Sequence, residues 1–357
     1  MNEQPSLMRA AIAIGRNTIC LVVARSAPSD LDSVESREEL VRIGESITAT
    51  GAISQEKTNA AIAVLKRYKA LAKRLKADLI LVVATEAIRQ ASNSAAFLEQ
   101  VQRETNLAVQ LLNGTAEAAL TFFGATYEVN KEPGYPAHIG VMDPGGGSLK
   151  LVTASNMRIT WRTSIPIGSG WLHDRFLSSD PPGYDQVTIA GAFLKTYFQG
   201  MRLKHRPPVL IVTGGSATSL LSLVHKAFQL EEHQTHLTQQ DLIRCQGLLS
   251  AFTAEDLAQR YDLEVGRARV LLAEALLMQT VMSCLRIKEI HISSHGMREG
   301  VLLAYERFGE RWLEIVRSAA SLDHAHQAGV SVALAPRGGT VHPIWASQAQ
   351  GTDSQTA

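Results

Sequence analysis

Two apolar hairpins, each turned on glycine and set 130 positions apart, constrain this 357-residue chain more than any other feature. The first spans residues 10–24: an apolar run, the turn Gly15-Arg16-Asn17-Thr18, and a second run through Ile19, Leu21 and Val23. The second rises over 139–142, turns on Asp143-Pro144-Gly145-Gly146-Gly147-Ser148, and returns over 149–153. Gly15 falls on Gly145, Thr18 on Ser148 and Leu21 on Leu151. Two apolar runs around a tight glycine turn are the signal of a β-hairpin. Each copy opens a stretch in which strands alternate with helices. Leu65, Tyr68, Ala72 and Leu75 sit at helical spacing within 56–75, 79–83 and 109–112 read as strands, and a helix follows through Ala116, Leu120, Phe123 and Tyr127. The pattern predicts an α/β chain of two similar domains facing each other across a cleft. The turn-rich Lys131-Glu132-Pro133-Gly134-Tyr135-Pro136 separates the halves, and the small, polar tail over 338–357 reads as disordered.

Charge and cysteine usage narrow the function. Thirty-five basic against 34 acidic residues leave a net charge of +1, so no overall field grips nucleic acid or a membrane surface. Any anion site must be local. Cys20, Cys245 and Cys284 are three and widely spaced, which suits neither a disulfide framework nor a zinc site and points to a reducing cytoplasm. The apolar run over 270–285 is broken by Glu274, Gln279 and Thr280, the pattern of a buried helix rather than a membrane span.

Three glycine turns end or link apolar strands: Gly15 to Thr18, Gly145-Gly146-Gly147-Ser148, and Gly214-Gly215-Ser216-Ala217-Thr218. Such turns serve simply to reverse the chain, or they bring backbone N–H groups close to a phosphate. Gly214-Gly215 also precedes a helix through 220–224, whose N-terminus favours an anion. Phosphate is the ligand class that fits three such turns. Asp143, at a strand end, reads as an Asx-turn residue or as an acid for a hard divalent cation. Glu117, in the first turn of a helix, complements the helix dipole or acts as a general base. Arg89, after a strand end, is a surface residue or a fork for phosphate. The histidines at 233/236, 291/295 and 324/326 lack companions at metal-binding spacing.

These residues, in order, resemble the exopolyphosphatase and guanosine pentaphosphate phosphohydrolase family. The resemblance covers roughly residues 10–305. It rests on Ala84-Thr85-Glu86-Ala87-Ile88-Arg89 with Asn93, Gly114-Thr115-Ala116-Glu117-Ala118, and Asp143-Pro144-Gly145-Gly146-Gly147-Ser148. It continues through Ser164-Ile165-Pro166-Ile167-Gly168, Thr213-Gly214-Gly215-Ser216-Ala217-Thr218 and Gly296-Met297-Arg298-Glu299-Gly300. It implies two ribonuclease-H-like domains of the sugar-kinase, Hsp70 and actin superfamily with the active site between them: 8–133, completed by 300–318, and 137–299. It implies removal of terminal phosphate from polyphosphate or a guanosine penta- or tetraphosphate, usually with magnesium, and admits a homodimer. On this resemblance Glu117 and Arg89 are catalytic and Asp143 is a metal-site acid. Arg16, Asn17, Thr18, Gly145, Gly146, Gly147, Ser148, Lys150, Gly214, Gly215, Ser216 and Thr218 hold substrate.

The departures fall at the centre of that pattern. Where the family reads Asp-Ile-Gly-Ser-Asn-Ser, this chain has Ala13-Ile14-Gly15-Arg16-Asn17-Thr18. The family's Ser-Thr-Glu is Ser148-Leu149-Lys150 here, and its later Ser-Asp is Ser293-Ser294. Over Ala13, Arg16 and Lys150 two acids give way and two cations arrive, about four units of charge at neutral pH. Weak magnesium binding is therefore expected. Hydrolysis of a terminal phosphoanhydride competes with a second reading, a polyphosphate- or alarmone-binding protein whose turnover is weakened or lost.

Overall fold

The computed structural model describes residues 7–27, 30–128, 136–156, 158–201, 206–231 and 233–322. The tail at 338–357 and most of the turn at 131–136 lie outside them. The first half runs β1 (Leu7–Ile14), β2 (Thr18–Ala27), β3 (Asp30–Leu40), α1 (Ile43–Thr50), α2 (Gln55–Arg74), β4 (Leu79–Ala84), α3 (Glu86–Gln90), α4 (Ser94–Thr105), β5 (Val109–Leu111) and α5 (Gly114–Ala125). The second runs β6 (His138–Pro144), β7 (Leu149–Ser155), β8 (Arg158–Ile165), α6 (Ser169–Phe176), α7 (Tyr184–Phe198), β9 (Val209–Thr213), α8 (Gly215–Phe228), β10 (His236–Thr238), α9 (Gln239–Ala251), α10 (Ala254–Tyr261), α11 (Val265–Leu285) and β11 (Glu289–Ser293). Helices α12 (Met297–Phe308) and α13 (Trp312–Leu322) follow.

The repeat seen in the hairpins extends to whole sheets. One sheet has the order β3-β2-β1-β4-β5 and the other β8-β7-β6-β9-β11-β10. In each, a hairpin strand pairs antiparallel with its partner and parallel with the next strand in: β1 with β2 and β4, β6 with β7 and β9. A parallel neighbour requires a crossover, supplied by α1 and α2 in the first half and by α6 and α7 in the second.

Each sheet buries apolar residues on both faces. Helices α2 and α4 cover one face of the first sheet through Leu65, Tyr68, Phe97 and Val101, all buried. Helices α5 and α12 cover the other, packing Leu120, Val301 and Leu302 on Ala11, Val22 and Val83. The chain thus returns after the second sheet to finish the first half. Helix α5 also reaches the second sheet, where Ala118 and Phe122 meet Val141, Val152 and Ile211. Its crossing with α12 is tight enough that a Cβ on Gly300 would overlap the carbonyl oxygen of Leu120. Helix α11 is long and apolar enough to pass for a membrane span, but it is buried at the core of the second half against α6, α7, α8 and α9.

Candidate phosphate cleft

Both hairpin turns point into one cleft of about 530 Å³ between the sheets. Each turn is braced by its own backbone. Gly15 N donates to Thr18 O at 2.9 Å, while Asn17 O accepts from Val41 and Arg42 at 2.9 and 2.8 Å. In the second half, Gly145 O and Gly146 O accept from Ser169 N and Trp171 N, at 3.0 and 2.9 Å, and anchor the start of α6. The third wall is the β9–α8 junction. Gly214 caps α8 with φ +117° and no side-chain hydrogen bond, a conformation open to glycine and strained for other residues. That leaves the first N–H groups of a 14-residue helix facing the cleft.

Of the residues expected from sequence, Arg16, Asn17, Thr18, Asp143, Gly145, Gly146, Gly147, Ser148, Lys150, Gly214, Gly215, Ser216 and Thr218 all line this cleft. Glu117 and Arg89 lie behind its wall, joined to it through Lys150. Asp143 and Lys150 are direct cross-strand partners on the β6–β7 ladder, so their side chains share a face. Lys150 Nζ lies 3.4 Å from Asp143 Oδ2 and 3.4 Å from Glu117 Oε2. Burial by itself would lower the Lys150 pKa, but Asp143 and Glu117 outweigh it and raise the value, so the ammonium stays charged. Glu117 is fully buried in the first turn of α5, and its Oε1 accepts from Arg89 Nη1 at 2.8 Å. Asn113 caps that helix, accepting from Ala116 N at 2.8 Å, and Arg89 also donates to Leu112 O. The result is a continuous chain of charge: Arg89, Glu117, Lys150, Asp143.

Arg16 is in place, but its guanidinium turns sideways. It pairs with Asp174 Oδ2 at 2.8 Å on α6 and also meets Thr48 and Gly44 O. Six further charged groups line the cleft that the sequence left unassigned: Arg37, Glu38, Glu86, Arg267, Glu274 and Arg298. Arg267 pairs with Glu38 across the cleft and donates to Ser216 Oγ at 2.6 Å. Burial, then the charge of Glu117, raises the Glu86 pKa above the usual carboxylate range. Glu274, 1% exposed on α11, has its pKa pushed up to about 8, chiefly by burial. A single acid breaking an apolar run was the only sign of Glu274 in the sequence. Among the described residues, no group of three or more His, Cys, Asp and Glu side chains converges as a metal site would.

Two halves of repeated topology, closing glycine turns on a shared cleft, define an actin-like two-domain protein with a phosphate-suited centre. The chain belongs to the Ppx/GppA phosphatase family, whose model matches residues 22–307. It is 27% identical to exopolyphosphatase 1 of Mycobacterium leprae, over 81% of this chain and 87% of that protein. Exopolyphosphatase 2 of Mycobacterium tuberculosis is 28% identical, with 83% and 97% covered. Among solved structures, the Aquifex aeolicus PPX-GPPA enzyme superposes with a TM-score of 0.69 at 27% identity, covering 84% of this chain and 100% of that one. An exopolyphosphatase-like protein reaches a TM-score of 0.76 at 25% identity, with 85% and 99% covered.

Proposed function

We propose that this chain binds condensed phosphate, polyphosphate or a guanosine penta- or tetraphosphate, in the cleft and hydrolyses its terminal phosphoanhydride bond slowly and without dependence on magnesium. The observation that carries the reading is the Arg89–Glu117–Lys150–Asp143 chain set behind the Gly145–Ser148 turn. Amides of the three glycine turns and the start of α8 receive the phosphate oxygens. Water attacks the terminal phosphorus, Glu117 takes its proton, and the bridging P–O bond breaks toward the shortened chain. Arg89 orients the Glu117 carboxylate through Oε1. Lys150 supplies a fixed positive charge that stabilises the phosphoryl oxygens as charge develops.

The residues present do not fit a divalent cation at this position. Lys150 Nζ stands between the two acids, within 3.4 Å of each, and Ala13 offers no carboxylate from the first hairpin. With the ammonium in that place and, among the described residues, no three acids converging on it, the cleft makes at most a weak magnesium site, so no step is assigned to the metal.

One observation favours the second reading, a binding protein with lost turnover: Glu117 is fully buried and both its oxygens face cations. Calorimetry of polyphosphate and guanosine pentaphosphate binding, run beside orthophosphate release by wild type and Glu117→Gln, separates the cases. A positioned base contributes about 10²–10⁴-fold, so the variant is expected to bind normally and lose turnover by that order. Binding with no release by wild type would support the second reading. No binding of either ligand at low salt would remove both.

A further inference from the structure

Glu274 has no part in the reaction outlined above, yet it reaches the cleft. Its side chain is 1% exposed, and neither carboxyl oxygen finds a hydrogen-bond partner within the protein. A buried polar group in that state is costly and uncommon. The groups facing it come from four elements. Arg267 lies two turns back on α11 itself, Asp143 at the end of β6, Ser169 at the start of α6 and Ser216 at the start of α8. The two serine hydroxyls lie close without reaching hydrogen-bonding geometry. Arg267, the one cation among these groups, is already committed to Glu38 and Ser216 Oγ.

An ionised carboxylate here would oppose any anion docking on the N-terminus of α8. A protonated one would do the reverse, because a carboxylic acid donates a hydrogen bond. We propose that Glu274 is a specificity-determining residue of the phosphate cleft, its carboxyl hydrogen-bonding the phosphate held at the start of α8 so that one proton is shared between them. The proton resides on Glu274 or on the phosphate oxygen, and the pair carries one negative charge fewer than the separate anions would. Burial holds the free carboxyl protonated at neutral pH, with its pKa near 8, so the cleft is ready to donate. A terminal phosphate, whose second pKa is about 6, is mostly a dianion at neutral pH and accepts that hydrogen bond more strongly than the singly charged internal phosphate of a chain. Glu274 thus favours chain ends over chain interiors. This rests on the condensed-phosphate reading of the cleft.

The test is calorimetric titration of the full chain with inorganic tripolyphosphate at pH 6.5 and pH 9.0, each in two buffers of different ionisation enthalpy. Wild type, Glu274→Gln and Glu274→Ala are compared. Glutamine keeps a donor of the same shape that does not titrate. At pH 6.5 it is expected to bind within about threefold of wild type, while Glu274→Ala binds more weakly. From pH 6.5 to 9.0 wild type is expected to lose about tenfold more affinity than Glu274→Gln, since one unit above its pKa only about a tenth of the carboxyl stays protonated. At pH 9.0 wild type takes up about one proton more per ligand bound than Glu274→Gln does. Equal pH dependence and equal proton uptake in wild type and Glu274→Gln would overturn the proposal while leaving the cleft a phosphate site. Wild-type affinity in Glu274→Ala at both pH values would overturn it too. Failure of wild type to bind at either pH would instead refute the condensed-phosphate reading, and this inference with it.

Discussion

Asp143 and Lys150 face each other across the β6–β7 ladder, and the same register in the first hairpin pairs Ala13 with Cys20. An ion pair thus stands in one half where the other has two small, uncharged side chains. Removing one partner of a buried pair costs about 3–5 kcal/mol because the other charge is left exposed to a low dielectric. Lys150→Met is therefore expected to lower the melting temperature, and magnesium to recover part of the loss in the variant while leaving wild type unchanged. Thermal unfolding with and without magnesium reads this directly; a variant indifferent to the metal would deny that Lys150 stands in for a cation. Glu274 gives a second prediction. Its folded pKa, about 8, lies above the ordinary 4.5, so between those values the folded chain binds more protons than the unfolded one. Stability then falls as pH rises through that window, by up to about 1.4 kcal/mol per unit. Glu274→Gln removes the term and should gain in melting temperature on wild type between pH 5 and 8; parallel curves would contradict it. These two residues also mark what was legible. Asp143 and Lys150 sit beside a glycine turn, where local sequence reveals them. Glu274 and Arg267 lie on a helix over 100 residues away, and only the tertiary fold brings their side chains to the cleft.

Helix α5 ties the site to the framework. It carries Glu117 at its first turn, packs on both sheets, and crosses α12 at Gly124 and Gly300. Overpacking a tight contact costs typically 1–3 kcal/mol, and here the obstacle is backbone rather than a yielding side chain. Gly300→Ala is expected to destabilise the protein by at least that much in denaturant unfolding. Stability within about 0.5 kcal/mol of wild type would mean that the two helices separate easily. Of the elements, the paired hairpin strands, α2 and β4 were legible because apolar runs and helical spacing mark them. Strand β3 was not, since Asp30–Leu40 carries six charged residues in an edge strand whose outer side has no partner strand among the described residues. Alternation signals a strand only where one face is buried. The third strand of each meander was found through the sheets, not the sequence.

Across the whole molecule, ion pairs that join the halves include Arg16 with Asp174, Glu38 with Arg267, and Glu117 with Lys150. Each joins a residue of the first half to one of the second, so the halves are fastened on both sides of the phosphate-binding turns. Parting the two halves requires breaking these pairs. Asp174→Ala combined with Glu38→Ala is expected to increase the radius of gyration in small-angle scattering at low salt; an unchanged value would mean that other contacts hold the cleft shut. The repeat itself was legible from two hairpins, because glycine turns and apolar strands keep their spacing. Closure was not, because it depends on pairs such as Arg16–Asp174, 158 residues apart.

The proposed role of Lys150 is that of a fixed ammonium serving where a metal ion would otherwise be needed. Its most direct test is the initial rate of orthophosphate release from polyphosphate by the metal-free chain, measured in excess chelator and again with magnesium. Slow release is expected, changed by the chelator by less than about twofold and reduced by Glu117→Gln by about 10²-fold or more. Robust release abolished by the chelator would contradict it, and would mean that Asp143 and other acids already build a working metal site around Lys150.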